Sequence, residues 1–205
     1  DKSRVSKVYY VQNELQTKFL KMLDNVTPQV MQAAERISLA AEEQGILLSS
    51  KSTISLVDHI SFALERVEKG TFLPNRMLSE TRMLYPKEYA VGQRALELVR
   101  QFCGVQLPED EAGYIALHLV AGAADGALAY DTVKFVMAVK EIICDTYHCI
   151  FEEESLETIR LTVHLKFLAA RILRHTPWQD AGLESMYTVL LQRDSRNEVC
   201  LQRIN

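Results

Sequence analysis

The chain is short of basic charge, of cysteine and of long hydrophobic runs, and each shortage excludes something. It holds 23 Lys and Arg against 27 Asp and Glu, a formal net charge of −4 over 205 residues, with no dense Lys/Arg block. Gripping a phosphate backbone needs several cations on one face, so these residues by themselves are not expected to hold nucleic acid. The apolar runs are short: Tyr114 to Leu117 ends at His118, and Leu165 to Ile172 is interrupted by Lys166 and Arg171. None approaches the roughly 18 residues that a membrane span needs. The opening residues, Asp1 to Lys7, are mostly polar and charged, unlike a signal peptide. A cytoplasmic protein without membrane insertion is expected.

Four cysteines, Cys103, Cys144, Cys149 and Cys200, include no CxxC pair. Free, mostly buried thiols are the expectation, with no zinc site and no other metal or cofactor. Catalytic signatures are missing too: there is no GxGxxG, P-loop, HExxH or GxSxG, and no enzyme is expected.

What the chain does contain is a repeated histidine pattern. His59-Ile-Ser-Phe62-Ala-Leu-Glu-Arg66 returns as His164-Leu-Lys-Phe167-Leu-Ala-Ala-Arg171. Only five histidines exist, and two of them share a Phe at i+3 and an Arg at i+7. The spacing reads as a duplicated domain built around a side chain whose charge is easily switched near neutral pH.

Helix punctuation supports an all-α fold. Thr27-Pro28 opens an amphipathic segment that Gly45 stops, Pro86 opens one that Gly104 closes, and Pro108 opens a third that ends near Gly122. The acids Glu109, Asp110 and Glu111 stand against the positive end of that third helix dipole. The helix carrying His59 is expected to begin after the stretch Ser49 to Thr53 and to run to Gly70. Helices are also expected from Tyr130 to about Cys149 and from Ser155 to about His175. The exception is the amino terminus, where Val5, Val8, Tyr10 and Val11 favour a strand or extended arm. Small residues from Ala121 to Ala129 mark a linker. The expected organisation is a connector over 1–12, a first helical bundle over 13–124 and a second over 125–205.

The candidate reactive groups are His59, His118 and His164. A lone helical histidine is more often a satisfied core residue than a functional one. The recurrence of His59 as His164, with His118 beside His59 in the first half, shifts that balance. Asp58 precedes His59 and is a candidate to fix its tautomer. Arg66 and Arg171 read either as solvated helix ends or as phosphate partners, because a guanidinium forms bidentate bonds to oxyanions. At i+7 each is about 10 Å from its histidine, so pairing across domains or subunits is expected instead of contact along one helix. Phe62 and Phe167 read as core. His148 and His175 lack the repeat context and carry no assigned role.

These residues resemble a known family. Val57 to Arg66 with Lys69-Gly70, then Leu84-Tyr-Pro-Lys-Glu88, then Gly104 to Val120, look like the first PTS regulation domain (PRD) of the BglG/SacY-type transcriptional antiterminators. Glu153 to Leu156 with Thr162 to Leu168 looks like the second. The resemblance implies two tandem helical PRD bundles forming a homodimer, regulated by histidine phosphorylation from HPr and sugar-specific EII proteins. A separate amino-terminal domain binds an mRNA antiterminator hairpin, and Arg4 to Val11 resembles its end. Carried over by motif, His59 and His118 match the phosphorylatable pair of the first domain, Asp58 the acid before one of them, and His164 the first histidine of the second. The second histidine of that domain has no counterpart, so the second PRD is expected to be incomplete. Three rivals remain at this point: PRDs attached to a DNA-binding activator, a histidine-phosphotransfer relay bundle, and a purely structural dimerisation module with buried, unreactive histidines.

Overall fold

The structure is a computed structural model that describes residues 26–122, 128–176 and 184–204. The arm expected over residues 1–12 and most of the small-residue linker lie outside the described residues. Within them every regular element is helical and no strand occurs. The chain divides into two compact units, residues 1–127 and 128–205.

The first unit holds α1 (Pro28–Glu43), α2 (Ser50–Glu68), α3 (Leu78–Leu84), α4 (Pro86–Cys103) and α5 (Asp110–Gly122). The side chain of Thr27 caps α1 by accepting from the Val30 amide, and Pro28 opens its first turn. Helix α2 starts earlier than the sequence pattern implies. Ser49 is its N-cap, accepting the Ser52 amide at 3.2 Å, so the polar Ser/Thr stretch belongs to the first turn and is not a preceding loop. Helix α4 ends on Gly104 in the left-handed conformation, φ +74°, where a side chain would be strained.

Val30, Ala34 and Ile37 of α1, Leu56 and Ile60 of α2, Ala95 and Val99 of α4, and Ile115 and Leu119 of α5 share one core. Helix α5 is the central element, buried almost all round from Glu111 to Val120. Close approach of α4 to α5 depends on Gly92, where an added Cβ would lie 2.2 Å from the Ala112 carbonyl oxygen. Helix α3, which the sequence pattern left unmarked, packs against both α4 and α5.

The second unit holds α6 (Ala129–Tyr147), α7 (Leu156–Leu173), α8 (Glu184–Arg193) and α9 (Arg196–Ile204). Val133 and Val136 of α6 and Leu165 and Ala169 of α7 are buried. Helices α2 and α7, which carry the repeated motif, are built alike. Ser155 caps α7 as Ser49 caps α2. Both close in a Schellman motif: Thr71 donates to the Arg66 carbonyl and Gly70 to Val67, while Thr176 donates to Arg171 and His175 to Ile172. The left-handed position is Gly70 in one helix, φ +64°, and His175 in the other, φ +51°. His148 ends α6 in the same conformation, φ +54°. These two histidines therefore have a structural place at helix ends.

Two expectations about burial need correction. Phe62 is 53% exposed and Phe167 63%, so neither is core. At i+3 from their histidines they point off the buried stripe that Val57 and Ile60, or Thr162 and Leu165, place inward. All four thiols are free, as expected, but only Cys200 is buried; Cys149 is exposed.

Candidate functional site

Two helices of the first unit assemble the site. Helix α2 presents Ser55, His59 and Arg66 along one side, at spacings of four and seven residues. Helix α5 answers with Glu111, Tyr114 and His118, at spacings of three and four. The two rows meet: the rings of His59 and His118 have centroids 4.6 Å apart and are tilted by 44°. The Tyr114 ring lies 6.0 Å from that of His59, and its hydroxyl donates to the Pro74 carbonyl.

Glu111 is the hub. One carboxylate oxygen, Oε2, accepts from His59 Nε2 at 2.9 Å, and the other, Oε1, accepts from an Arg66 terminal nitrogen at 2.6 Å. Its side chain is 3% exposed, against 13% for His59 and 26% for Arg66. Burial opposes the charge on Glu111, yet the hydrogen bonds from His59 and Arg66 outweigh it and hold the carboxyl below its ordinary value. Glu111 is thus a carboxylate, and the ring nitrogen facing it must be the donor.

His118 is held in a contrasting way. Its Nδ1 lies 3.3 Å from the Ser55 hydroxyl, and among the described residues no carboxylate contacts its ring directly. Burial, reinforced by the charge of His59 and opposed by that of Glu111, pushes His118 down to about 4. It is neutral throughout the physiological range, the state in which an imidazole nitrogen keeps its lone pair.

The acids at the start of α5 each have a specific partner, beyond any part in complementing the dipole. Glu109 accepts from the Tyr89 hydroxyl at 3.0 Å, and Asp110 accepts from the Asn75 amide at 2.6 Å. Asp110 thereby ties the loop before α3 to the helix that carries His118.

The comparison with known proteins decides the family. A beta-glucoside operon antiterminator of Dickeya chrysanthemi is 33% identical over 205 residues, covering 98% of this chain and 72% of the relative. The chain belongs to the BglG/SacY-type transcription antiterminators. Residues 34–122 match the PRD domain, a span that contains every site residue just described. Transcription antiterminator LicT of Bacillus subtilis is 37% identical over 180 residues, covering 86% of this chain and 65% of that protein. A crystal structure of GlcT CAT-PRDI aligns with a TM-score of 0.51 at 31% identity, covering 55% of this chain and 68% of that one. The chain thus spans about two thirds of the length of these curated antiterminators. Membership of this family makes it a PRD-containing regulatory chain, related to regulators of transcription. Among the described residues no helix is long and apolar enough to cross a membrane.

Within this antiterminator PRD, the candidates separate. His59, His118 and Arg66 come together in one cluster. Asp58 does not join it: it is exposed, and the acid on His59 is Glu111 from another helix. Arg66 is connected to His59 inside the first unit through Glu111, so the link expected only across domains or subunits is met locally. In the second unit His164 is exposed on α7, and Arg171 lies two turns on, partly buried near the helix end.

Glu111 is the residue that sequence reasoning missed. It was legible as one of three acids at a helix start, but its spacing of seven residues from His118 repeats the separation of His59 from Arg66. Two rows of period seven, one with a histidine and a cation and one with a carboxylate and a histidine, are complementary when the helices pack side by side.

Proposed function

We propose that this chain is the regulatory part of a sugar-responsive antiterminator, with residues 13–124 forming the first PRD and 125–205 the second. His59 and His118 accept phosphoryl groups from phosphohistidine proteins of the sugar phosphotransferase system, HPr and a sugar-specific EII, and His164 is the acceptor in the second PRD. Modification biases a cytoplasmic homodimer between arrangements, and the arrangement controls an upstream domain that binds an antiterminator hairpin in mRNA.

The observation that carries this reading is the His59–His118 pair, with one ring on a buried carboxylate and the other neutral. Transfer between imidazoles needs alignment and charge neutralisation more than a catalytic base. A phosphoryl group brings about −1.5 to −2 charges, which act at short range on the Glu111–Arg66 pair already present. A relay bundle with one exposed histidine per unit fits a ring pair less well, and a purely structural module gives no reason for the Glu111 contact.

The test is incubation with phosphoenolpyruvate, enzyme I and HPr, alone and with the sugar-specific EII, followed by mass spectrometry. Phosphate on His59, His118 or His164, lost when the corresponding residue is changed to Ala, is the expected result. No histidine phosphate, or phosphate indifferent to all three substitutions, overturns the reading.

A further inference from the structure

Each ring of the pair has one engaged nitrogen, and the engaged atoms differ. His59 uses Nε2, toward Glu111. His118 uses Nδ1, toward Ser55. The opposite atoms, Nδ1 of His59 and Nε2 of His118, make no hydrogen bond to a described residue, and neither counts among the described buried side-chain atoms that lack a partner.

We propose that the two histidines take phosphoryl groups with opposite regiochemistry: His59 at Nδ1, because Glu111 holds the proton on its Nε2, and His118 at Nε2. Glu111 is the positioning residue for the first of these. A carboxylate can only accept, so the neutral His59 ring keeps its proton on Nε2 and its lone pair on Nδ1. Arg66 fixes the carboxylate through its other oxygen. For His118 the partner is a hydroxyl, which donates or accepts by rotating, so placing the proton on Nδ1 leaves Nε2 available.

The transfer balances without an added base. In the donor, a phosphorylated imidazole carrying a proton on its other nitrogen, the N–P bond breaks and the ring leaves neutral with its lone pair restored. In His59 the Nδ1 lone pair forms the new N–P bond, the proton on Nε2 stays where it is, and the ring becomes cationic against Glu111. The carboxylate thus stabilises the product ring as well as selecting the attacking atom. Attack through Nε2 would instead require His59 to give up its bond to Glu111, leaving the buried carboxylate to Arg66 alone.

This regiochemistry rests on the acceptor role proposed above, but its basis is measurable without phosphorylation. Long-range proton–nitrogen correlation spectra of the nitrogen-15-labelled chain, at a pH where the ring is neutral, are expected to show His59 protonated on Nε2. A His59 ring protonated on Nδ1 overturns the inference whatever the phosphorylation assay gives. After phosphorylation by enzyme I, HPr and EII, peptides containing His59 and His118 are separated and probed with reagents selective for each phosphohistidine isomer. The expected result is about a tenfold or greater excess of the Nδ1 isomer at His59, equivalent to about 1.4 kcal/mol, and of the Nε2 isomer at His118. The same isomer on both residues overturns it. In Glu111→Gln the amide either donates or accepts, so the His59 excess falls toward parity while the His118 isomer is unchanged. Loss of phosphorylation yield with the isomer ratio at His59 unmoved would assign Glu111 a structural role only and sink its part in the proposal. If neither histidine is phosphorylated, the acceptor role fails and the regiochemistry fails with it.

Discussion

His59 and His118 lie ring against ring at 4.6 Å, yet only His59 touches a carboxylate. The two rings therefore sit in different surroundings within one cluster. His118 has the burial without a carboxylate in direct contact, and its neutral form is the one the fold stabilises.

The first prediction is a pH dependence with a defined window. His118 is pushed from 6.5 down to about 4 in the folded chain. Below about 6.5 the unfolded chain therefore takes up a proton that the folded chain refuses, and stability falls as pH drops from there to about 4, levelling below. The span corresponds to at most about 3 kcal/mol. Urea melts across this range, compared with His118→Gln, are expected to show the slope in the parent and its reduction in the variant. Glu111, held below its ordinary value, adds a separate loss at lower pH as its folded-state carboxyl is finally protonated.

Glu111→Ala should be among the costliest single changes in the first unit. It leaves His59 without its acceptor and Arg66 half-buried without its counter-charge, and Arg66 Nε already lacks a partner among the described residues. Breaking a buried pair from one side costs about 3 to 5 kcal/mol. Chemical denaturation of the variant is expected to show a loss of that order, and a loss below about 1 kcal/mol would mean the carboxylate is not structurally engaged.

Gly92→Ala tests the α4–α5 contact. The added methyl would lie 2.2 Å from the Ala112 carbonyl oxygen, which is backbone and cannot turn aside. The helices must separate, at a cost of about 1 to 3 kcal/mol or more. Because Ala112 is the residue directly after Glu111, the same change is expected to shift the His59 and His118 resonances.

His175→Gly is expected to stabilise. The repeat aligns His175 with Gly70 at the left-handed position of the same Schellman motif, and histidine there carries a conformational cost that glycine lacks. A gain of about 0.5 to 1 kcal/mol in a urea melt is the expected outcome. Destabilisation would show that the imidazole makes up for its backbone conformation.

Much of the fold was legible because helix ends are local chemistry. Thr27-Pro28, Pro86 and Gly104 mark their boundaries through bonds made within a few residues, and the structure places helix termini there. The start of α2 shows the limit: a run of Ser and Thr reads as a loop unless the Ser49 side chain is seen to cap the first turn of the helix. Phe62 and Phe167 show another. A phenylalanine on an amphipathic helix looks like core, but its angle from Val57 and Ile60, or from Thr162 and Leu165, carries it outward.

The sequence by itself determined the helical class, the duplication around His59 and His164, and the family, since capping signals, hydrophobic period and motif order are all written along the chain. What only the tertiary structure decided is which residues share the site. Asp58 is His59's neighbour in sequence but leaves the cluster, because adjacent residues on a helix point about 100° apart. Glu111 lies on another helix and reaches both His59 and Arg66, because packing α2 beside α5 brings two rows of seven-residue spacing together in a place too buried to leave a carboxylate unpaired.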